Sequence, residues 1–190
     1  AEAGAGAGAS AGDASSSSSG SPVVSPASGV NDKMARIQVQ RDLNSLITDV
    51  PGLKVDCGED ILNFTFSIKP NDGYWKGGTF HFSVVVPPDY PFKQPKCKCV
   101  TRVYHPNIDF DGNICLNILK DSWTCAKSLN DIFLGIYYLF VQPNPNDPLN
   151  NEVAELMNRS LDEFQRNVML SLRGNDIRTA SGVIRFKNVL

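Results

Sequence analysis

The chain has 190 residues, with 18 Lys or Arg against 20 Asp or Glu and a formal net charge of −2 at pH 7. This length allows one domain of ordinary size, and the near-neutral balance gives no global electrostatic reason to bind nucleic acid or a membrane. We therefore expect neither among the partners, and we expect partners to be recognised by local surfaces.

The first thirty residues differ from the rest, because 23 of them are Ala, Gly or Ser. Such a segment has too little apolar mass to offset the entropy of ordering it. We therefore expect residues 1–30 to form a disordered tail. The tail has no basic start followed by an apolar run, and no later window resembles a membrane span, so we expect a soluble intracellular protein.

A first helix is predicted over about residues 33–48. Asn31 or Asp32 can cap it, and Pro51-Gly52 ends it. Its apolar positions recur at the four-three-four spacing of one helix face. These positions are Val39, Leu43, Leu46 and Val50.

Three alternating stretches then predict antiparallel strands. Residues 62–68 alternate apolar with polar side chains, residues 80–86 repeat the pattern after a turn, and Lys96 to Val103 alternate again. A short pairing segment around Val55 completes a predicted four-stranded meander.

From Tyr104 to Thr124 the periodicity fails, which leaves about twenty residues of irregular chain inside a compact domain. Such a segment is uncommon unless it is functional, so the chemistry is expected there.

Ser128 caps a second predicted helix, and three prolines separate it from further helices near 150–158 and 160–173. One helix, a small sheet and then helices make an α+β domain. We assign residues 31–175 to this domain and residues 176–190 to a C-terminal extension. The apolar side of the second helix comprises Ile132, Phe133, Ile136, Leu139 and Phe140.

The five cysteines are odd in number, and without a secretion signal a disulfide framework is not expected. Cys97 and Cys99 alternate with lysines on a predicted strand, at a spacing wrong for a zinc knuckle. With Cys57 and Cys125 they are interpreted as small buried hydrophobes, and no metal site is expected. Cys115 is the cysteine that lies in the irregular segment.

A cysteine hydrolase would need a histidine base for Cys115, and the chain has two histidines. His81 falls in a predicted strand, whereas His105 precedes Pro106, a dipeptide suited to shaping a loop. A protease is therefore disfavoured.

The motif His105-Pro106-Asn107, followed by Cys115, Trp123 and a proline-rich loop that contains Asp147, resembles the ubiquitin-conjugating enzyme family. The resemblance covers about residues 33–173. It implies the family's fold, with an N-terminal helix, a four-stranded antiparallel meander and C-terminal helices. It also implies transferase activity through a glycyl thioester on the catalytic cysteine.

Within the family, several segments look most like the conjugating enzyme of neddylation. That enzyme usually begins with a short docking peptide containing Phe and Leu, whereas this chain begins Ala-Glu-Ala-Gly. Either the natural start is missing or this docking differs. The segments are Arg36-Ile37-Gln38, Pro70 to Phe82, Tyr104 to Trp123 and Asp147 to Asn151.

The resemblance also implies the roles of the site residues. Cys115 would carry the modifier, and Asp147 would orient the incoming lysine and assist its proton loss. Asn107 would either donate to the oxyanion of the tetrahedral intermediate or hold the loop in place. His105 and Pro106 would serve loop structure.

The partners follow from the same resemblance. Lys33, Arg36 and Arg41 on the first helix would meet a heterodimeric activating enzyme. Phe92 and the loop Trp123-Thr124-Cys125-Ala126 would dock a RING-type ligase, although many members have a proline where Cys125 stands. Cullins would be the substrates, in the cytoplasm or nucleus. No cofactor would bind this chain, because the activating enzyme uses the ATP.

Two alternatives stay open at this point. The first is an ordinary ubiquitin-conjugating enzyme with the same chemistry. The second is a non-catalytic binding module of the same fold, which is disfavoured because such variants lack the active cysteine.

Overall fold

A computed structural model describes residues 26–46, 50–120 and 122–190, with side chains from residue 32 onward. The predicted α+β class is confirmed, whereas most of the predicted tail, residues 1–25, lies outside the described residues. The helices are α1 Pro26–Asn44, α2 Leu129–Val141, α3 Asn151–Arg159 and α4 Leu161–Leu172, with a 3-10 turn over Asn117–Leu119. The strands are β1 Lys54–Asp56, β2 Asn63–Ile68, β3 Phe80–Val85, β4 Lys96–Cys99, β5 Ile177–Thr179 and β6 Gly182–Ile184.

The first four strands form the predicted antiparallel meander, in the order β1-β2-β3-β4. Their alternation buries one face, on which Phe66 of β2 pairs with Phe82 of β3 with ring centroids 4.8 Å apart. α2 covers this face, because the ring of Phe133 lies 4.5 Å from that of Phe66. The residues that α2 buries are Leu129, Ile132, Phe133, Ile136, Leu139 and Phe140. Among the described residues, no helix is long and apolar enough to cross a membrane.

β4 ends at Cys99 rather than at Val103, so its predicted end is wrong. Val100 and Thr101 both donate their backbone N–H to the carbonyl of His81, at 2.8 and 3.3 Å. Because two successive residues share one acceptor, the regular strand pairing cannot continue. The chain leaves the sheet here and enters the irregular segment.

α1 begins at Pro26, well before the predicted start near residue 33. Proline is favourable in the first turn of a helix. Asp32, predicted as a cap, lies inside α1, where its carboxylate accepts a hydrogen bond of 2.8 Å from Arg36 one turn later.

α1 also ends earlier than predicted, at Asn44 rather than near residue 48. Ser45 closes the last turn, with its backbone N–H donating to the carbonyls of Arg41 and Asp42 at 3.0 and 3.2 Å. Residues 47–49 lie outside the described residues.

The last residues of the chain pack against the domain. β5 and β6 form an antiparallel hairpin, and the buried ring of Phe186 then lies 6.4 Å from Tyr104 in the irregular segment. The carbonyl of Val189 accepts a 2.9 Å hydrogen bond from the N–H of Thr79, directly before β3. The chain end thus closes against both the sheet and the irregular segment.

Asp42 connects α1 to α2 through a buried carboxylate. It accepts hydrogen bonds from the Tyr90 hydroxyl, from Gln38 Nε2 at 2.8 Å and from the N–H of Leu129 at 3.1 Å. Leu129 is the first residue of α2, so the charge also lies at the favourable end of that helix dipole. Burial, and then the bond to Asp42, raise the pKa of Tyr90.

We expect Asp42→Ala to lower the free energy of unfolding by about 2–4 kcal/mol, because it leaves a buried hydroxyl and a buried N–H without an acceptor. Urea denaturation followed by circular dichroism measures this change. The exposed Asp111→Ala is the matched control. A loss for Asp42→Ala no larger than for the control would show that the buried carboxylate does not hold α1 to α2.

Candidate active site

The irregular segment lies between β4 and α2 and contains Cys115. In its described part, order is limited to two isolated bridges, His105 with Ile108 and Ile108 with Ile114, and to the 3-10 turn. The prediction that regular structure fails here is therefore confirmed. Side chains must hold this segment in place.

Asp109 builds the turn that leads to Cys115. Its Oδ1 accepts the backbone N–H of Asp111 at 3.0 Å and that of Asn113 at 2.8 Å, which is the way short acidic side chains stabilise tight turns. Gly112 has a φ of 83°, and a Cβ there would lie 2.1 Å from the carbonyl oxygen of Cys99. The position therefore requires glycine.

His105 is fully buried beneath the loop. Its Nε2 lies 2.9 Å from the carbonyl oxygen of Leu139, and its Nδ1 accepts the N–H of Asn107 at 2.9 Å. The ring stacks on Trp75 at 4.2 Å. These contacts require the neutral ring with its proton on Nε2, and burial lowers its pKa to about 3.

This burial makes stability depend on pH. The ordinary pKa of a histidine is 6.5, and that of His105 in the folded chain is about 3. At pH values between these two, the unfolded chain binds a proton at His105 that the folded chain does not. Stability is therefore lost as the pH falls below 6.5, by about 1.4 kcal/mol per pH unit from this group.

We expect the unfolding free energy of the wild type to fall by about 2 kcal/mol between pH 6.5 and pH 5, where few carboxylates titrate. In His105→Gln this slope should disappear, although the variant starts from a lower stability. Urea denaturation at a series of pH values measures both slopes. Equal slopes in the two proteins would mean that His105 titrates normally in the folded state.

Asn107 ties the segment to the proline-rich loop that follows α2. Its Nδ2 donates to the carbonyls of Asn144 at 2.7 Å and Asp147 at 3.0 Å, and its Oδ1 accepts the N–H of Asn144 at 2.9 Å. Both amide protons are therefore engaged by the loop. Donation to an oxyanion would require one of these bonds to open.

Pro106 strengthens the same connection. Its carbonyl accepts the N–H groups of Leu149 and Asn150, each at 2.9 Å. Asn150 in turn caps α3, because its Oδ1 accepts the N–H of Val153 at 3.3 Å. The His-Pro-Asn motif thus contacts the end of α2, the loop and the start of α3.

Asn107→Ala separates the two roles that the resemblance implies for this residue. If the Asn107 amide holds the loop, we expect the variant to lose about 2–4 kcal/mol of unfolding free energy, because three hydrogen bonds of ordinary strength are removed. We then also expect the rate of transfer to fall. Denaturation and single-turnover transfer are both measured on the variant. Slow transfer with unchanged stability would instead support oxyanion donation.

Cys115 is held between a carboxylate and an amine. Its backbone N–H donates to the carbonyl of Asn107 at 2.8 Å, and its side chain is mostly buried, with 8% of the residue exposed. Its Sγ lies 3.7 Å from Asp147 Oδ2 and 3.2 Å from Lys120 Nζ. The structure thus brings together Cys115, Asn107 and Asp147, which are far apart in the chain.

The other cysteines lie in different surroundings. Desolvation raises the pKa of Cys97 and of Cys99 to about 12 and, together with the nearby Asp56, raises that of Cys57. Cys125 is exposed, contrary to its interpretation as a buried hydrophobe. Among the described residues, no group of three or more His, Cys, Asp or Glu could hold a metal ion.

The residues predicted to bind partners fall on two surfaces. On α1, Lys33 and Arg41 are exposed, whereas Arg36 bonds Asp32 at 2.8 Å and Asp60 at 2.9 Å. A partner that contacted the Arg36 guanidinium would therefore compete with these two carboxylates for its N–H groups.

The second surface joins Phe92 to the loop over residues 123–126. Trp123 Nε1 donates to the carbonyl of Pro91 at 2.7 Å, and its ring lies 5.8 Å from that of Tyr90. Phe92 is 80% exposed, and Thr124, Cys125 and Ala126 are exposed beside it. This arrangement offers one continuous surface to a partner.

Sequence reasoning missed Lys120, Asn144 and Asp109. Lys120 and Asn144 are brought to the site by the folded path of the chain. Lysine and asparagine are common in loops, so their residue types gave no signal in the sequence. Asp109 could have been found, because Asp followed three residues later by Gly is a turn signal.

A shielded thiol beside a carboxylate, without a histidine base, suits acyl transfer through a thioester rather than hydrolysis. A model of the ubiquitin-conjugating enzyme family matches residues 36–172. The chain belongs to the ubiquitin-conjugating enzyme family. It is a transferase that works with a ubiquitin-like modifier and, in general, with activating and ligating enzymes.

Individual relatives agree with this assignment. The chain is 43% identical over 144 residues to the NEDD8-conjugating enzyme UBC12 of Yarrowia lipolytica, covering 75% of this chain and 80% of that protein. It is 42% identical over 146 residues to the Nedd8-conjugating enzyme UbcE2M of Drosophila melanogaster, covering 74% and 78%. The solved structure of S. cerevisiae Ubc12 matches with a TM-score of 0.72 and 35% identity, covering 82% of this chain and 85% of that one.

Proposed function

We propose that this chain is the conjugating enzyme of a neddylation pathway, which accepts the modifier as a thioester on Cys115 and transfers it to a substrate lysine. The observation that carries the proposal is the 3.7 Å approach of Asp147 Oδ2 to Cys115 Sγ. Relatives that are named NEDD8-conjugating enzymes support the choice of modifier.

The first step exchanges one thioester for another. The Cys115 thiolate attacks the carbonyl carbon of the modifier's C-terminal glycine, and the thiolate of the activating enzyme leaves. Thiolates are strong nucleophiles and the exchange is nearly balanced in energy, so no strong base is needed at Cys115. His105 could not serve as such a base, because both of its ring nitrogens are hydrogen-bonded to backbone groups.

The second step is harder, because a lysine amine with an ordinary pKa of about 10.4 is less than about 0.1% neutral at pH 7. In this proposal Asp147 accepts a hydrogen bond from the incoming amine and takes up its proton as the C–N bond forms; its carboxylate 3.7 Å from Cys115 Sγ supports this role. The bonds from Asn107 hold the backbone of the Asp147 loop, which keeps the carboxylate near the sulfur.

We expect Asp147→Ala to retain thioester formation at Cys115 and to slow discharge to free lysine by about 10- to 100-fold, because the acceptor of the amine proton is lost. Single-turnover discharge of the loaded enzyme measures the second step alone. Asp111→Ala, on the turn before Cys115, is the matched control. Equal losses of loading and discharge in Asp147→Ala would contradict a role specific to aminolysis.

The same proposal names the individual partners of the enzyme. The activating enzyme is a heterodimer that consumes the ATP and meets Lys33 and Arg41 on α1, so this chain itself binds no cofactor. A RING-type ligase docks on Phe92 and residues 123–126, and the target lysine lies on a cullin. The reaction takes place in the cytoplasm or the nucleus.

Loading on a non-reducing gel tests the proposed function. The protein is incubated with ATP and either NEDD8 or ubiquitin, each with its own activating enzyme, and Cys115→Ala is the control. We expect a thiol-sensitive adduct with NEDD8 that is absent in Cys115→Ala. An adduct with ubiquitin alone would keep the mechanism and overturn the pathway, and no adduct with either would overturn both.

A further inference from the structure

A groove opens on the outer face of the sheet, at the place where β4 ends. His81 of β3 lies on this face, and the chain leaves the sheet where Val100 and Thr101 both bond to the His81 carbonyl. The last residues of the chain form the opposite wall, held by the 2.9 Å bond from the N–H of Thr79 to the carbonyl of Val189. The groove between these walls has a volume of about 930 Å³.

Positive charge is concentrated in this groove. Four exposed cationic side chains line it, two from the end of β4 and the residues that follow, and two from the end of the chain. They are Lys98, Arg102, Arg185 and Lys187. Against them, the described lining has one acidic side chain, Asp111, and the terminal carboxylate of Leu190. Since the whole chain has a net charge of −2, the groove differs in sign from the average of the protein.

Arg102 is held in place by both walls. Its Nε donates to the carbonyl of Phe110 at 3.3 Å, and its Nη1 donates to the carbonyl of Arg185 at 3.4 Å. A guanidinium has five N–H donors, so these two bonds leave three for a ligand. Because the side chain is already positioned, it loses less entropy when it binds a carboxylate.

The cations of the groove have few partners of their own. In the part of the chain that the structure describes, Arg185 is the one of the four that faces a carboxylate, at 3.9 Å from Asp176, and both of those side chains are exposed. An exposed ion pair at this distance contributes little. A carboxylate from another molecule can therefore bind here without displacing a strong interaction.

Apolar side chains line the same groove. Val100 is 64% exposed and Leu190 is 58% exposed, and Phe110 and Val189 also contribute to the lining. A peptide can present carboxylates and aliphatic side chains along one extended segment. A nucleic acid instead needs a broad positive surface, and a chain of net negative charge does not attract it from a distance. The lining therefore favours a peptide.

The groove is separate from the surfaces described above. Its lining includes neither the residues around Cys115, nor α1, nor Phe92 and the loop over residues 123–126. Residues 185–190, which form one wall, also lie beyond the stretch 36–172 that matches the family model. This wall is therefore an addition to the part of the chain that the family shares.

We propose that this groove binds an extended acidic segment of a partner protein, in which Asp or Glu residues are interspersed with aliphatic ones. The carboxylates contact Lys98, Arg102 and Lys187, and the aliphatic side chains cover Val100 and Leu190. The inference goes beyond the proposed function and does not depend on the modifier. Because the groove shares no residue with the site around Cys115, the partner can stay bound while the enzyme is loaded and discharged.

Fluorescence anisotropy on the full chain tests this binding. The probe is a short labelled peptide of Asp, Glu and Leu, and its match has Asn and Gln in place of the acids. We expect the wild type to bind the acidic peptide at least about tenfold more tightly than the neutral one. The difference should shrink as the salt concentration rises, because the contacts join exposed charges.

Charge reversal locates the site. In the double variant Lys98→Glu with Lys187→Glu, we expect the affinity for the acidic peptide to fall at least about tenfold. The matched control is Lys54→Glu with Lys69→Glu, two exposed lysines outside the groove, which makes the same change in net charge and should lose at most about threefold. Equal losses would mean that net charge binds the peptide, and would overturn the inference.

Chemical shift mapping on the wild type gives a second measurement that needs no variant. Titration with the acidic peptide should shift the amide signals of Lys98, Val100 and Lys187. Three results would each overturn the inference: no binding of the acidic peptide, shifts confined to other surfaces, or tighter binding of a single-stranded DNA oligonucleotide of equal charge.

Discussion

The geometry of the active site depends on a few hydrogen bonds between an irregular segment and its surroundings. His105 anchors the segment to the last turn of α2, Asn107 binds the following loop at both ends, and Pro106 holds the start of α3. Without these bonds, little would fix the distance between Cys115 and Asp147, because neither residue lies in a helix or strand. The site is therefore built from hydrogen bonds to backbone groups, donated or accepted by the side chains of His105 and Asn107 and by the carbonyl of Pro106, which fix a loop without requiring regular structure.

Asp147 illustrates how one residue can serve both structure and chemistry. Its backbone carbonyl accepts a hydrogen bond of 3.0 Å from Asn107 Nδ2, while its carboxylate lies 3.7 Å from the sulfur of Cys115. The amine of Lys120 also approaches this sulfur, at 3.2 Å, from the turn that directly follows Cys115. The thiol thus contacts both an acidic and a basic side chain, so an acyl group that it carried would lie beside two ionisable groups.

Much of this fold could be predicted from sequence, because strands and buried helices leave a periodic pattern. The alternation around Phe66 and Phe82 and the apolar face of α2 were sufficient for the meander and its covering helix. The bounds of α1 could not be predicted in this way, because Asp32 could either cap a helix or form an ion pair inside one. Its hydrogen bond with Arg36 in the folded chain decides between the two. The approach of Lys120 to Cys115 left no periodic or compositional signal, because it depends on the path of an irregular turn.

The end of the chain contributes directly to the core beneath the active site. Phe186 packs on Tyr104 and Phe110 of the irregular segment, and Val189 binds the residue directly before β3. Two rings of the catalytic segment therefore complete their packing only when Phe186, far later in the chain, has reached its place. Because a domain folds as a unit, the order of the catalytic segment is coupled to the folding of the hairpin and the residues that follow it.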